Sequence, residues 1–306
     1  MNTYDAVVIG GGPAGMTAAL YLLRAGVKVL MIEKMAPGGQ VLMTEEIENY
    51  PGFPEPLKGY ELADKLAAHL DLYPHDKIMD EVREIRVGNP VHEIEVGDQV
   101  VGAKSIVLAT GARYRNLGIP GEQRLVGRGV SYCALCDGNF FRDRTVAVVG
   151  GGNSALEEAL YLARLVKKLY LIHRRDDFRG ALCYQDKCFT NDKIEILRST
   201  VVDEIVGAED VESLALSNTK TGEKSSLEVD GVFIFVGFEP VVNFVPGEVE
   251  MESNGIVTDV EMRTNVPGIF AAGDIRAKLC RQVATAVGDG ATAATSAFAY
   301  LEQLSE

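Results

Sequence analysis

Cysteine is scarce in this chain, with five in 306 residues, too few for a disulfide scaffold at that length. Basic residues are also short: 30 Lys and Arg stand against 44 Asp and Glu, a formal net charge of -14. That deficit argues against nucleic acid or an anionic membrane as partner, since both require a basic patch. A docking partner with a neutral or basic face suits it better. No apolar run is long enough to span a bilayer. The chain enters an apolar stretch by Ala6 with no basic leader or cleavage site, so a cytoplasmic protein is expected. There, two cysteines close in sequence point to catalysis or metal binding rather than to a structural bridge.

What the sequence does have is an internal repeat. The length suggests two domains. Val7 to Lys34 reads VVIGGGPAGMTAALYLLRAGVKVLMIEK, and Ala147 to Arg174 reads AVVGGGNSALEEALYLARLVKKLYLIHR. The segments align without gaps at an offset of 140 residues, matching Gly10-Gly11-Gly12 to Gly150-Gly151-Gly152. Each reads as a buried parallel strand, a glycine turn, an amphipathic helix and a second strand. This is the setting of a dinucleotide fingerprint. Gly10 allows the tight turn and Gly12 the approach of a pyrophosphate. Gly15 allows close helix packing, with Ala155 as its counterpart. The phosphates would sit on the helix N-terminus.

One position separates the two nucleotides. Glu33 ends the second strand of the first unit, where a carboxylate accepts from ribose hydroxyls and repels a 2′-phosphate. That suits FAD or NAD. The aligned residue in the second unit is His173, followed by Arg174 and Arg175, with Arg179 close behind. Guanidinium groups grip phosphate through two bonds at once, so this site should prefer NADPH over NADH.

Cys133 and Cys136, followed by Asp137, can close a small disulfide ring. Such pairs often hold a thiol of depressed pKa, and Asp137 could carry a proton to a departing thiolate. A metal site is not expected, because the spacing of Cys183 and Cys188 is a poor match to a second zinc knuckle. Cys183, Cys188 and Cys280 read as buried or incidental thiols. The pair lies between the two nucleotide units, which suggests a chain of hydride, flavin and disulfide.

These residues resemble the low-molecular-weight, bacterial-type thioredoxin reductases within the class II pyridine nucleotide-disulfide oxidoreductases, over essentially the whole chain. The loop Gly10, Gly12, Pro13, Ala14 and Gly15 is similar to the family's FAD loop, with Glu33 and Lys34 at the ribose end. Pro37-Gly38-Gly39-Gln40 and the segment from Glu48 to Phe53, with Asn49, look like its flavin-contacting stretches. Ala109-Thr110-Gly111 resembles the strand end that closes the FAD domain. Gly273 with Asp274, and Arg281, Gln282 and Val283, match its C-terminal FAD motif, which should lead into a helix facing the flavin. Gly152, Asn153 and Ser154, with His173, Arg174, Arg175 and Arg179, look like its NADPH site. Leu135 stands where threonine is common in the family, and Gly180 where alanine is usual.

The resemblance implies an α/β fold of two Rossmann-like dinucleotide-binding domains, the NADPH domain inserted into a split FAD domain. The FAD domain would span 1–112 and 242–306, and the NADPH domain, which carries the disulfide, 113–241. Arg113 to Leu117 and Gly237 to Val245 would be the hinges. It further implies that NADPH reduces FAD and FAD reduces Cys133–Cys136. Cys136 would lie next to the flavin, Cys133 would attack oxidised thioredoxin, and Asp137 would be the acid/base. Domain rotation would separate the half-reactions, and the protein would be a homodimer. Three rivals share features: an alkyl hydroperoxide reductase flavoprotein, disfavoured because the first strand begins almost at Met1; a thiol oxidase; and a non-catalytic NADPH sensor, disfavoured by the intact cysteine pair beside Asp137.

Overall fold

The computed structural model describes residues 1–44, 46–252 and 255–304. The chain divides into two compact units, one made of Met1–Arg113 and Glu239–Glu306, the other of Tyr114–Phe238. In the first, the β-branched run before the glycines forms β1 (Thr3–Ile9), followed by α1 (Pro13–Arg24) and β2 (Val29–Glu33). Then come α2 (Gly59–Leu70), β3 (Asp76–Met79), β4 (Val82–Arg86), β5 (His92–Val96), β6 (Gln99–Leu108) and the short β7 (Ala112–Tyr114). Pro13 opens α1, where its missing N–H costs nothing and its fixed φ is already helical.

The second unit begins its sheet at β8 (Val130–Ser131) and the four-residue helix α3 (Ala134–Asp137). The second repeat follows as β9 (Thr145–Gly150), α4 (Asn153–Leu162) and β10 (Lys168–Ile172). α5 (Leu182–Phe189) and β11 (Ile194–Leu197) complete one layer. β12 (Thr200–Val206), β13 (Ser213–Asn218) and β14 (Lys224–Glu228) make an antiparallel sheet, before β15 (Gly231–Phe235). After the short β16 (Phe238–Pro240), the first unit resumes with β17 (Met251–Glu252), β18 (Gly255–Ile256), β19 (Ile269–Ala271) and α6 (Val283–Gln303).

The two main sheets share the order of their first four strands. The first runs β3-β2-β1-β6-β5-β4 with β19 also on β6, and the second β11-β10-β9-β15-β8. The order reverses between β1 and β6 and between β9 and β15. In open α/β sheets that reversal opens a crevice at the strands' carboxyl ends, where ligands bind. The α/β class and the two Rossmann-like units expected from the repeat are therefore present.

Each first strand is buried on both faces. Ala6 and Val8 pack with Met16 and Leu22 of α1, while Val7 and Ile9 join Leu30, Ile106 and Phe244 on the other side. In the second unit Val146 and Val148 meet Leu156 and Leu162, and Ala147 and Val149 meet Val202 and Leu214 of the antiparallel sheet. Truncating Leu156, fully buried here, to alanine should cost about 2–5 kcal/mol. Small residues bring α6 hard against α1: a Cβ on Gly290 would sit 2.2 Å from the carbonyl oxygen of Ala14.

Candidate functional site

The first glycine loop is shaped for an anion. Gly12 caps α1 without a side-chain hydrogen bond, and a Cβ placed on it would meet nothing within 4 Å. The helix thus presents free N–H groups and its positive dipole end to open space. Gly15 is there for contact, since a Cβ would lie 1.8 Å from the Gly10 oxygen. Glu33 Oε2 accepts from the Gly11 N–H at 2.6 Å and Oε1 from the Met35 N–H at 2.9 Å, which fixes the carboxylate at the end of β2. Lys34 is exposed and paired with Glu81 at 2.8 Å. Gly38 donates to the Gly11 carbonyl at 2.7 Å, placing Gly39 and Gln40 beside the loop.

Residues remote in sequence converge on this unit. Asn49 Nδ2 donates to Gln282 Oε1 at 3.1 Å, across 233 residues. Thr110 Oγ1 donates to the Val241 carbonyl at 2.8 Å, and Gly111 takes φ +71°. A Cβ on Gly273 would press on Ala14 at 2.9 Å. Arg281 donates to the carbonyls of Lys278 and Arg276 at 3.0 and 3.2 Å, and Val283 begins α6 beside Val41 and Ile47. Asp274 keeps a buried Oδ1 without a hydrogen-bond partner. Burial raises its carboxyl above the usual range, opposed by Lys278 and Arg281. An orphaned buried acceptor beside an uncapped helix fits a ligand rich in phosphate and hydroxyl groups, so the residues present fit FAD.

The loop 273–278 is held by a residue absent from the sequence reading. Asp289, on α6, accepts from the Gly273 N–H at 3.1 Å, Arg276 Nη1 at 2.9 Å and Lys278 Nζ at 2.7 Å. All three charged side chains are nearly buried, which satisfies a carboxylate that would otherwise be costly to enclose.

The second loop repeats the first. Gly152 caps α4 with no side-chain bond and open space at its Cβ position. Asn153 Oδ1 accepts from the Ala181 N–H at 2.7 Å, and Ser154 is exposed. The Arg179 and Gly180 N–H groups donate to the Gly151 carbonyl at 2.8 and 3.1 Å, folding this segment over the loop. Gly180 has a packing reason, because a Cβ there would strike Leu156 at 2.4 Å. His173 is buried against Gly151, with Nε2 at 3.2 Å from the Asp177 carbonyl. Burial, and then the neighbouring arginines, lower its pKa. A neutral imidazole leaves the phosphate-binding charge to Arg174, Arg175 and Arg179, which are exposed. The uncapped helix and these arginines fit NADPH.

Cys133 and Cys136 are joined by a disulfide, their Cα atoms 5.3 Å apart. Cys133 is the N-cap of α3, and the Cys136 N–H donates to its sulfur at 3.2 Å. Both cysteines are half-buried. Ser131 Oγ donates to Asp137 Oδ2 at 2.6 Å and accepts from the Cys133 N–H at 3.1 Å. Glu158 reaches α3 from α4. The Ala134 backbone hydrogen-bonds its carboxyl, while burial pushes that carboxyl up to about 7. Neither Ser131 nor Glu158 carries a sequence signal that would single it out. Of the other cysteines, Cys188 is buried while Cys183 and Cys280 are exposed. Among the described residues no cluster suited to a metal occurs, and no helix is long and apolar enough to cross a membrane.

Residues 4–290 match the family described as pyridine nucleotide-disulphide oxidoreductase. A thioredoxin reductase of Listeria innocua is 46% identical over 305 residues, covering 99% of this chain and 95% of that one. One from Bacillus subtilis is 44% identical over 305 residues, with 99% and 96% covered. The crystal structure of thioredoxin reductase from Streptococcus pyogenes superposes with TM-score 0.94 at 46% identity, over 98% of this chain and 99% of that one.

Proposed function

The chain belongs to the pyridine nucleotide-disulphide oxidoreductase family, and on that premise we propose that it is an NADPH-dependent thioredoxin-disulfide reductase. The observation that carries the reading is the Cys133–Cys136 disulfide, closed at the start of α3 within the unit that also bears the arginine-flanked dinucleotide loop. When bound, FAD takes a hydride from NADPH and passes two electrons to a disulfide. The first unit would hold it through the Gly10–Gly15 loop, Glu33, Asp274 and the start of α6. The second unit would hold NADPH on the start of α4, with Arg174, Arg175 and Arg179 on the 2′-phosphate.

The thiol chemistry belongs to this chain. Reduced Cys133, as thiolate, attacks one sulfur of oxidised thioredoxin and displaces the other as a thiolate, which Asp137 protonates. The Cys136 thiolate then attacks Cys133 in the mixed disulfide. That re-forms the internal bond and releases the second thiol, so two electrons pass to the partner. Cys136 faces the flavin in this reading and Cys133 the partner. The nicotinamide would be held by the unit that carries the disulfide, so the two would have to reach the flavin in turn. The reading therefore requires that unit to rotate about 113–117 and 237–245. We place the enzyme in the cytoplasm, where exposed thiols such as Cys183 and Cys280 stay reduced, and as a homodimer, the usual state of the family.

Anaerobic titration with NADPH tests the proposal. The purified protein should be yellow, bleach with NADPH, and recover its colour on addition of oxidised thioredoxin. Absence of flavin, or recovery with oxygen and not with thioredoxin, overturns it.

A further inference from the structure

A buried carboxylate lies one residue-contact away from the redox cysteines and has no part in the chemistry above. Glu122 is 1% exposed. Its Oε1 accepts from the Leu117 N–H at 2.9 Å and from the Tyr132 hydroxyl at 2.8 Å. Its Oε2 accepts from the Gly118 N–H at 2.7 Å. An enclosed carboxylate persists only when its oxygens are satisfied, and these three donors satisfy both. Two come from the loop at 117–118. The third is the side chain of the residue immediately before Cys133. Tyr132 is further restrained by stacking on Tyr114, ring centroids 5.6 Å apart and planes at 15°.

From this arrangement we infer that Glu122 is a positioning residue for Cys133: acting through the Tyr132 hydroxyl, it locks the backbone from which Cys133 presents its sulfur, and it ties that backbone to the loop at 117–118. The next link is already described, since the Cys133 N–H donates to Ser131, which also holds Asp137. Attack on a disulfide requires the three sulfurs to approach a line, so a small loss of order at Cys133 lowers the rate of exchange. Among the described residues, the hydrogen bonds of Glu122 and Tyr132 involve no residue assigned to the pyridine nucleotide. Burial and the Glu122 carboxylate raise the Tyr132 phenol's pKa, so it stays a donor at neutral pH.

The inference rests on the reductase reading, and its test separates the two. Tyr132→Phe keeps the ring stack and removes only the hydroxyl. In stopped-flow measurements on the FAD-loaded enzyme, bleaching by NADPH should be unchanged while reoxidation by oxidised thioredoxin slows about tenfold. Glu122→Gln should show the same split, and the double variant no more than the larger single effect, as expected for partners in one contact. Iodoacetamide labelling of Cys133 in the dithiothreitol-reduced protein needs no thioredoxin, and its rate should change in Tyr132→Phe. Wild-type rates of both reoxidation and labelling in Tyr132→Phe, or equal slowing of both half-reactions, overturn the inference. Wild-type enzyme that thioredoxin cannot reoxidise, combined with altered Cys133 labelling in the variant, overturns the reductase reading and leaves the positioning role standing.

Discussion

The hydroxyl of Ser131 donates to Oδ2 of Asp137 at 2.6 Å, so the group proposed to protonate the departing thiolate is held by the strand that leads into the disulfide. The Ser131 oxygen also accepts from the Cys133 N–H. Acid, strand and sulfur-bearing backbone therefore form one small network, and a small network responds to the loss of any single atom.

Removing that oxygen should be visible in kinetics. Ser131→Ala removes a hydroxyl that bonds both Asp137 and the Cys133 N–H, and leaving those partners unsatisfied costs about 1–3 kcal/mol. Part of this is recovered by water, and a slowing of about tenfold in reoxidation by thioredoxin is expected. FAD content and NADPH bleaching should be unchanged. Stopped-flow traces of the two half-reactions decide, and an unaltered reoxidation rate removes Ser131 from the mechanism.

Cys136→Ser should leave the first unit, and so FAD binding, untouched. Without the second sulfur the Cys133–partner mixed disulfide cannot be resolved, and turnover with thioredoxin should vanish. The variant should instead accumulate a covalent complex with thioredoxin, readable by mass. Retained turnover would mean that electrons leave by another route.

Arg174→Ala with Arg175→Ala removes two of the three exposed guanidinium groups beside the second glycine loop. Each charge-assisted bond to a 2′-phosphate is worth about 1.5–3 kcal/mol. The KM for NADPH should therefore rise at least ~30-fold, with little change for NADH. Initial-rate kinetics with both coenzymes test this, and equal effects on the two would exclude reading of the 2′-phosphate.

Glu158 supplies a pH dependence of stability. Its carboxyl ordinarily titrates near 4.5, and burial pushes it up to about 7 in the folded protein. Between those values the folded state binds more protons than the unfolded state, so stability falls as pH rises across that window. The contribution is about 2 kcal/mol after allowance for solvent screening. In Glu158→Gln that contribution to the slope should disappear. Urea unfolding midpoints at pH 5 and pH 7.5 measure it, and parallel slopes for the two proteins would refute the assignment.

The three remaining thiols should separate by reactivity. Burial pushes the Cys188 thiol up to about 11, while Cys183 and Cys280 are exposed. At pH 8 the oxidised native enzyme should take up iodoacetamide at Cys183 and Cys280 and leave Cys188 unlabelled, because only the thiolate reacts. Peptide mapping by mass spectrometry reads the result directly.

Much of the molecule was legible in the sequence because the relevant physics is local. A glycine triplet between a β-branched run and an amphipathic helix makes an uncapped helix start wherever it occurs, and both copies do so. Glu33 could be placed because the end of β2 lies beside the β1–α1 loop in any unit of this kind. The aligned His173 was less legible. Its position was evident, but not that its ring would be buried against Gly151 with a lowered pKa, which leaves the charge to the arginines. Gly180, where alanine is usual in the family it resembles, has its reason in a contact with Leu156, 24 residues earlier.

By itself, the sequence determined the repeat, the two dinucleotide loops, the cysteine pair and the acid beside it, because short-range periodicity and backbone sterics specify each within a few residues. Tertiary structure alone decided which side chains support them: Asp289 under the 273–278 loop, Glu158 against Ala134, and Glu122 behind Tyr132. These are carboxylates carried in by other elements. Glu122 takes donors on both oxygens, Asp289 takes its three on Oδ2, and Glu158 keeps a buried Oε2 without one; enclosing a carboxylate is costly unless packing delivers donors to it, and no local pattern records where those donors will come from.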